Sequence, residues 1–244
     1  YYYNIIDSAN VEIAGYAGTE TEIEIPDTIA ANGVKYAVSR IGDNAFKSYT
    51  NLVSVTIPNT VTSIGDRAFL GCSGLTSITI GESVTSMGGC VFEECAKLTT
   101  VTIPESVVNI GNSTFYRCYN LTSVTLPDSL PKISNRMFAS CSKLGSVTIP
   151  NSVKSIGNDA FDGCSSLTSV TIPNSVTSFG DNVFANTGLT YVIIPNSVTS
   201  IGGWAFDKCR SLNWIFVPNS VKRLDWYFVR DCSKVTIYCE AESK

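Results

Sequence analysis

Phe returns every 23 residues along most of this chain, at Phe46, Phe69, Phe92, Phe115, Phe138, Phe161 and Phe184, and then at steps of 22 at Phe206 and Phe228. Leu52, Leu75, Leu98, Leu121, Leu144, Leu167, Leu189 and Leu212 keep the same beat, as do the pairs from Val55/Ile57 to Ile215/Val217. A chain of 244 residues has room for one or two ordinary domains, but a fixed internal period demands a stack of like units instead. One unit reads L-x-x-V-x-I-P-x-[ST]-V-x-x-I-G-x-x-A-F-x-x-C.

Within a unit, the phrase x-V-x-I-P alternates with period two and is rich in β-branched residues, which predicts a short strand closed by a Pro that has no N–H for the ladder. It stands as SVTIP at Ser54–Pro58, Ser146–Pro150 and Ser169–Pro173. Val55 and Ile57 then face one side of the strand and Ser54 and Thr56 the other. A second apolar pair such as Val61 and Ile64 follows, then a turn Gly such as Gly65, then D/N-x-A-F, which reads as a capped helical turn. One unit alone buries too few side chains to offset the entropy of ordering its backbone. Stacking supplies the missing burial, so the expected fold is an α/β repeat solenoid with a continuous core, a parallel β-sheet on one face and short strands or helical turns on the other.

The ends depart from the repeat. Glu22–Pro26 already matches the strand phrase, but Pro26 lies 20 residues before Phe46 where Pro58 lies 11 before Phe69, which places a nine-residue insertion around Ala30–Gly33. The Tyr-rich segment Tyr1–Tyr16 is expected to form a strand or hairpin covering the first edge. Residues 1–34 are therefore read as a cap with an atypical first coil, residues 35–239 as about nine units of 22–23 residues, and residues 240–244 as the remnant of a longer chain.

With its recurring L-T-S-V-x-I-P-x-S-V-x-x-I-G-x-x-A-F-x-x-C phrase, the chain resembles the BspA-like, Treponema-type bacterial leucine-rich repeats from about Glu22 to Cys239. The resemblance implies a right-handed coil and a secreted or surface-attached protein, in some members an adhesin. It carries no shared catalytic or binding motif to these residues. Where other leucine-rich repeats place Asn, eight positions after the first Leu, this chain has Thr60, Ser83, Ser106, Ser129, Ser152, Ser175, Ser197 and Ser220, whose hydroxyls are expected to tie down nearby backbone.

Seven of the nine Cys (Cys72, Cys95, Cys118, Cys141, Cys164, Cys209 and Cys232) share one repeat position. Equivalent side chains on successive coils run parallel and do not converge as a disulfide requires, so buried free thiols are expected. Cys90 instead occupies the variable position of Arg67, Arg136, Asp159 and Asn182, and is the candidate reactive thiol. With no His and no C-x-x-C pair, no metal site or cofactor is expected. No two Asp or Glu recur in a setting suited to acid–base work, and neither a phosphate-cradling loop nor a nucleophile elbow is present, so an enzyme is not expected. Asn112-Ser-Thr and Asn120-Leu-Thr match glycosylation acceptors, a pattern short enough to arise by chance.

A net charge of −4 from 17 basic and 21 acidic residues, well mixed, gives no footprint for nucleic acid, and no apolar run is long enough for direct membrane insertion. The remaining signal is aromatic. Most coils present Ser/Thr pairs on the outward strand positions, but two late copies present Tyr191/Ile193 and Trp214/Phe216. On adjacent coils these four adjoin, and an apolar patch of several hundred Å² marks a contact surface. Trp204 and Trp226 form a second candidate pair on another face. The expected role is a non-enzymatic module of an extracellular or cell-surface protein, binding a protein or glycan through the sheet face, with a homodimer through the patch or the solenoid end as a further partner. The alternative is a structural spacer whose hydroxyl face attracts nothing.

Overall fold

The computed structural model describes residues 1–225 and 227–240. Its coils carry two ladders of parallel strands. On the sheet face, Glu22–Glu24, Ser54–Thr56 and Ser77–Thr79 pair in sequence, then Thr100–Thr102 with Ser123–Thr125, then Tyr191–Ile193, Trp214–Val217 and Thr236–Cys239. The second ladder runs from Val34–Ile41 through Ser63–Ile64 and Ser86–Met87 to Asn109–Ile110. It resumes at Lys132–Ile133 and continues to Arg223–Leu224. Register is set by the repeat: Ser54 pairs with Ser77 and Val55 with Ile78.

Between the ladders lies one continuous core. The eight rings from Phe46 to Phe206 stack with centroids 5.0–5.6 Å apart and planes within 19° of parallel. The strand spacing of about 4.8 Å dictates that separation, and an offset stack is the ring geometry that tolerates it. At the first end Tyr16 packs 5.8 Å from Phe46 and extends the row by one ring.

The nine-residue insertion forms a hairpin, Thr28–Ala31 against Val34–Ile41, turned at Asn32 and Gly33. Both turn residues have positive φ, 52° and 77°, as a tight two-residue hairpin requires. The Tyr-rich start forms Tyr2–Ile5, antiparallel to Asn10–Gly15, and the latter runs parallel to Val34–Ile41. That last strand begins at residue 34 of the expected cap and continues through residues 35–41, so cap and first coil share an element.

The helical turns do not form: no helix occurs among the described residues. In the segment after Asp66, the N–H groups of Arg67, Phe69 and Gly71 donate to Gly89, Val91 and Glu93 of the next coil at 2.8, 3.0 and 2.8 Å. Leu70 and Cys72 close tight turns onto Arg67 and Phe69. Arg67 and Gly71 have φ of 56° and 71°, and a right-handed helix cannot pass through two left-handed residues four apart. Asp66 caps no helix; its carboxylate accepts the N–H of Gly89 on the next coil at 2.7 Å.

Two of the verbatim SVTIP copies also differ from expectation, since Ser146–Pro150 and Ser169–Pro173 lack strand pairing. Thr76, Thr99 and Thr122 each donate a hydroxyl bond to the preceding coil at the strand entrance, at 3.0, 3.5 and 3.0 Å. Gly145 stands at the next place in that row and supplies no such tie. The inward residues Val147 and Ile149 stay buried all the same.

The gap in the second ladder has a cause in two residues. Backbone bonds run Thr62 to Ser39, Thr85 to Thr62 and Val108 to Thr85, at 2.8–3.0 Å; Pro131 comes next and has no N–H to donate. Ser134 replaces the Gly of Gly65, Gly88 and Gly111, where coils touch so closely that a Cβ on Gly111 would lie 2.5 Å from Gly88 backbone. Its hydroxyl reaches the Ile110 carbonyl at 2.6 Å in place of the usual amide. Restoring the repeat with Pro131→Thr and Ser134→Gly is expected to close this seam and raise the unfolding free energy by about 1 kcal/mol, the net worth of one or two hydrogen bonds less the entropy cost of Gly. Urea unfolding reads it, and a double variant less stable than the parent would show that the seam is not a defect.

Candidate interaction surface on the sheet face

The strand positions that point outward form two parallel rows. One begins at Glu22, passes Ser54 and Ser77, and ends at Tyr191, Trp214 and Thr236; the other begins at Glu24, passes Thr56 and Thr79, and ends at Ile193, Phe216 and Tyr238. The face therefore grades from carboxylate through hydroxyl to aromatic.

At its far end the expected residues adjoin. Tyr191 pairs with Trp214 and Ile193 with Phe216 in register. The Tyr191 and Trp214 rings stack at 5.2 Å and 20°, and Tyr238 closes edge-on to Trp214 at 6.1 Å. Tyr191, Ile193 and Tyr238 are 42, 56 and 54% exposed; Trp214 and Phe216 are half-buried because coils flank them on both sides. No described segment lies over the strip. Sequence reading missed Tyr238, although a further step of 22 residues from Phe216 reaches it.

Trp204 is exposed on another face, and the ring that stacks on it is Tyr227, at 6.3 Å and 9°. Trp226 lies outside the described residues, so the expected Trp204–Trp226 pair is not among the described contacts.

All nine Cys are free among the described residues. Each of the seven repeat thiols donates to the carbonyl of a Phe on the preceding coil, as Cys72 does to Phe46 at 3.0 Å and Cys141 to Phe115 at 3.1 Å. Burial pushes the Cys72 thiol up to about 12 and those of Cys95, Cys118 and Cys141 well above their ordinary value. Cys90 is half-buried, and burial, then a bond to the Glu93 carboxylate, pushes its thiol up to about 11. That keeps it protonated at neutral pH and works against the reactivity expected of it; the exposed thiol is Cys239.

A raised thiol pKa means the neutral form is favoured by folding, so this contribution is complete below pH 9 and is lost as pH rises toward 12. Stability is accordingly expected to fall between those values, and alkylation at pH 8 to mark Cys239 first while the repeat thiols react only on unfolding. Peptide mass mapping tests the second point; rapid native labelling of Cys141 would contradict it.

Ser106, Ser129, Ser152 and Ser197 do tie down backbone, but on the preceding coil: their hydroxyls reach Val84, Val107, Leu130 and Val176 at 2.5–3.3 Å. The hydroxyl oxygens of Thr60, Ser175 and Ser220 are buried without such a partner. No group of three His, Cys, Asp or Glu among the described residues is placed to hold a metal ion.

The parallel coils, the Phe row and the Cys row define a leucine-rich-repeat solenoid with one solvent-facing sheet. The chain belongs to the family described as the BspA type leucine rich repeat region, whose profile matches residues 39–164 and 131–243 in six copies. Proteins built of this repeat are in general surface or interaction modules. The chain is similar to a leucine-rich repeat protein from Bacteroides ovatus, with 31% identity over 98% of this chain and 70% of that one and a TM-score of 0.74. It is also similar to the T. pallidum leucine rich repeat protein, with 29% identity over 76% of this chain and 85% of that one and a TM-score of 0.69. The pneumococcal vaccine antigen PcpA shares the fold alone, at 16% identity over 98% of this chain and 86% of that one and a TM-score of 0.52. Comparison with curated proteins gives no match.

Proposed function

We propose that the chain is a non-enzymatic interaction module of an exported bacterial surface protein, and that it binds a protein or glycan through the sheet face. The observation that carries the reading is the strip Tyr191, Trp214 and Tyr238, with Ile193 and Phe216 beside it: contiguous, solvent-facing, and placed at the far end of a face whose long middle stretch is made of small hydroxyls. Contact energy in interfaces concentrates in such aromatic clusters. The test compares the parent with a variant carrying Tyr191→Ser, Ile193→Thr, Trp214→Ser and Phe216→Thr on an array of immobilised extracellular proteins and glycans. Equal binding by both to every target the parent retains would remove the strip from the reading.

A spacer role is the second reading, and the long hydroxyl stretch from Ser54 to Thr171 favours it, since such a surface offers little to grip. Under it the parent itself binds nothing on the array.

A further inference from the structure

The second ladder carries a groove of about 550 Å³ near its far end, bordered by Gly180, Asp181, Gly203, Trp204, Arg223 and Asp225. Its origin lies in a row of side chains. In coil after coil an Asp or Asn accepts the backbone N–H of its counterpart one coil on: Asp43 from Asp66 at 2.8 Å, Asn135 from Asn158 at 2.9 Å, Asn158 from Asp181 at 3.0 Å and Asp181 from Gly203 at 2.8 Å. The row lacks a side chain at Gly89 and again at Gly203, and at Gly203 the floor of the groove is bare backbone. Asp225 follows with its Oδ1 turned to the Tyr227 N–H at 2.8 Å.

Next to Gly203, Trp204 occupies a slot that is left-handed in every coil from Arg67 to Asn182. Its own φ is 56°, a conformation that strains a bulky side chain and that Asn or Gly would take more easily. The indole is 39% exposed and braced by the stacked Tyr227 ring, which does not itself border the groove. A large flat apolar side chain is thus held rigidly at the wall of a polar depression.

We propose that this groove is a saccharide-binding site that takes one or two pyranose units, independently of the sheet-face reading. The indole offers the flat apolar surface that the C–H side of a pyranose covers, while its hydroxyls need acceptors and donors at the rim. Asp181 and Asp225 each engage one oxygen with backbone and leave the other for ligand hydroxyls, and the exposed Arg223 supplies donors. Two carboxylates beside one guanidinium suit a neutral polyol better than a free anion. Gly203 lets the ligand approach the backbone.

Saturation-transfer NMR with the methyl glycosides of glucose, galactose, mannose and N-acetylglucosamine tests the assignment on the full chain. Transfer to at least one is expected at millimolar concentration, with Trp204→Ala weakening it by at least about 10-fold. Gly203→Asn fills the groove and continues the Asx row; a Cβ there meets Asp225 Cγ at 3.5 Å and Asp181 Oδ1 at 3.8 Å, ordinary contacts, so this variant keeps the parent's thermal midpoint while losing transfer. The Tyr191→Ser/Trp214→Ser variant retains transfer, which separates this site from the sheet face. Silence from all four glycosides, undiminished transfer in Trp204→Ala or Gly203→Asn, or transfer to tetramethylammonium in place of the sugars would each overturn it.

Discussion

Phe138→Ala is expected to lower the unfolding free energy by about 3–5 kcal/mol, a large share of the total for a domain of ordinary stability. The ring is fully buried between Phe115 at 5.6 Å and Phe161 at 5.3 Å. Its loss leaves a hole that the neighbours cannot fill, because each coil is pinned to the next by bonds such as Phe138 N–H to Ala160 at 2.9 Å. Collapse would require breaking that ladder. Denaturant unfolding monitored by far-ultraviolet circular dichroism measures the effect, with the exposed Thr102→Ala as a control expected to stay within about 0.5 kcal/mol. A Phe138→Ala loss below about 1 kcal/mol would mean that the strand ladders, and not the ring row, hold the coils in register.

The second large effect concerns binding. For any array target captured by the sheet face, the Tyr191→Ser, Ile193→Thr, Trp214→Ser, Phe216→Thr variant is expected to bind at least about 100-fold more weakly, since two central aromatics at about 2 kcal/mol each exceed that factor. The four side chains point away from the core but pack on one another, so the variant is expected to stay folded with a midpoint modestly below the parent's. Sedimentation distinguishes a ligand surface from self-association: the parent is expected at its monomer mass of 26.2 kDa. A parent dimer that the variant dissolves would assign the strip to a second copy instead. Tyr238→Ser alone should weaken binding in the same sense, because its ring closes the strip against Trp214.

The repeat and the facing of its residues were legible because both follow from period alone. Val55 and Ile57 had to share a face, and a 23-residue step had to place Phe46 over Phe69. The misread segment shows the limit. D-x-A-F has the Asp and the apolar spacing of a capped helical turn, and the feature that forbids a helix is a positive φ at Arg67, a residue whose chemistry gives no sign of it. The same slot holds Cys90, Ser113 and Asp159, so only the inter-coil bonding reveals it. The strip at Tyr191 and Trp214 was visible as a change of residue type at fixed positions. Tyr238 escaped because its strand, Thr236–Cys239, lacks the closing Pro of the phrase, with Glu240 in its place, and the groove escaped because its floor is bare backbone at Gly203. Pro131 and Ser134 pass as ordinary variation in a repeat until their missing amide and added Cβ are set against the coil spacing.

Those two residues also have a mechanical meaning. Every other junction in the second ladder transmits strain through backbone bonds, but between Asn109–Ile110 and Lys132–Ile133 that ladder is open, and the coils are joined by the sheet-face pairing of Thr100–Thr102 with Ser123–Thr125, the Phe row and loop bonds such as Ser113 to Asn135 at 2.8 Å. The molecule thus resembles two stiff springs hinged at the sheet face, with the softer side of the link on the second ladder. The aromatic strip and the Trp204 groove ride together on the second spring, so bending or local opening of the first can change the molecule's curvature while the geometry of both surfaces stays as it is.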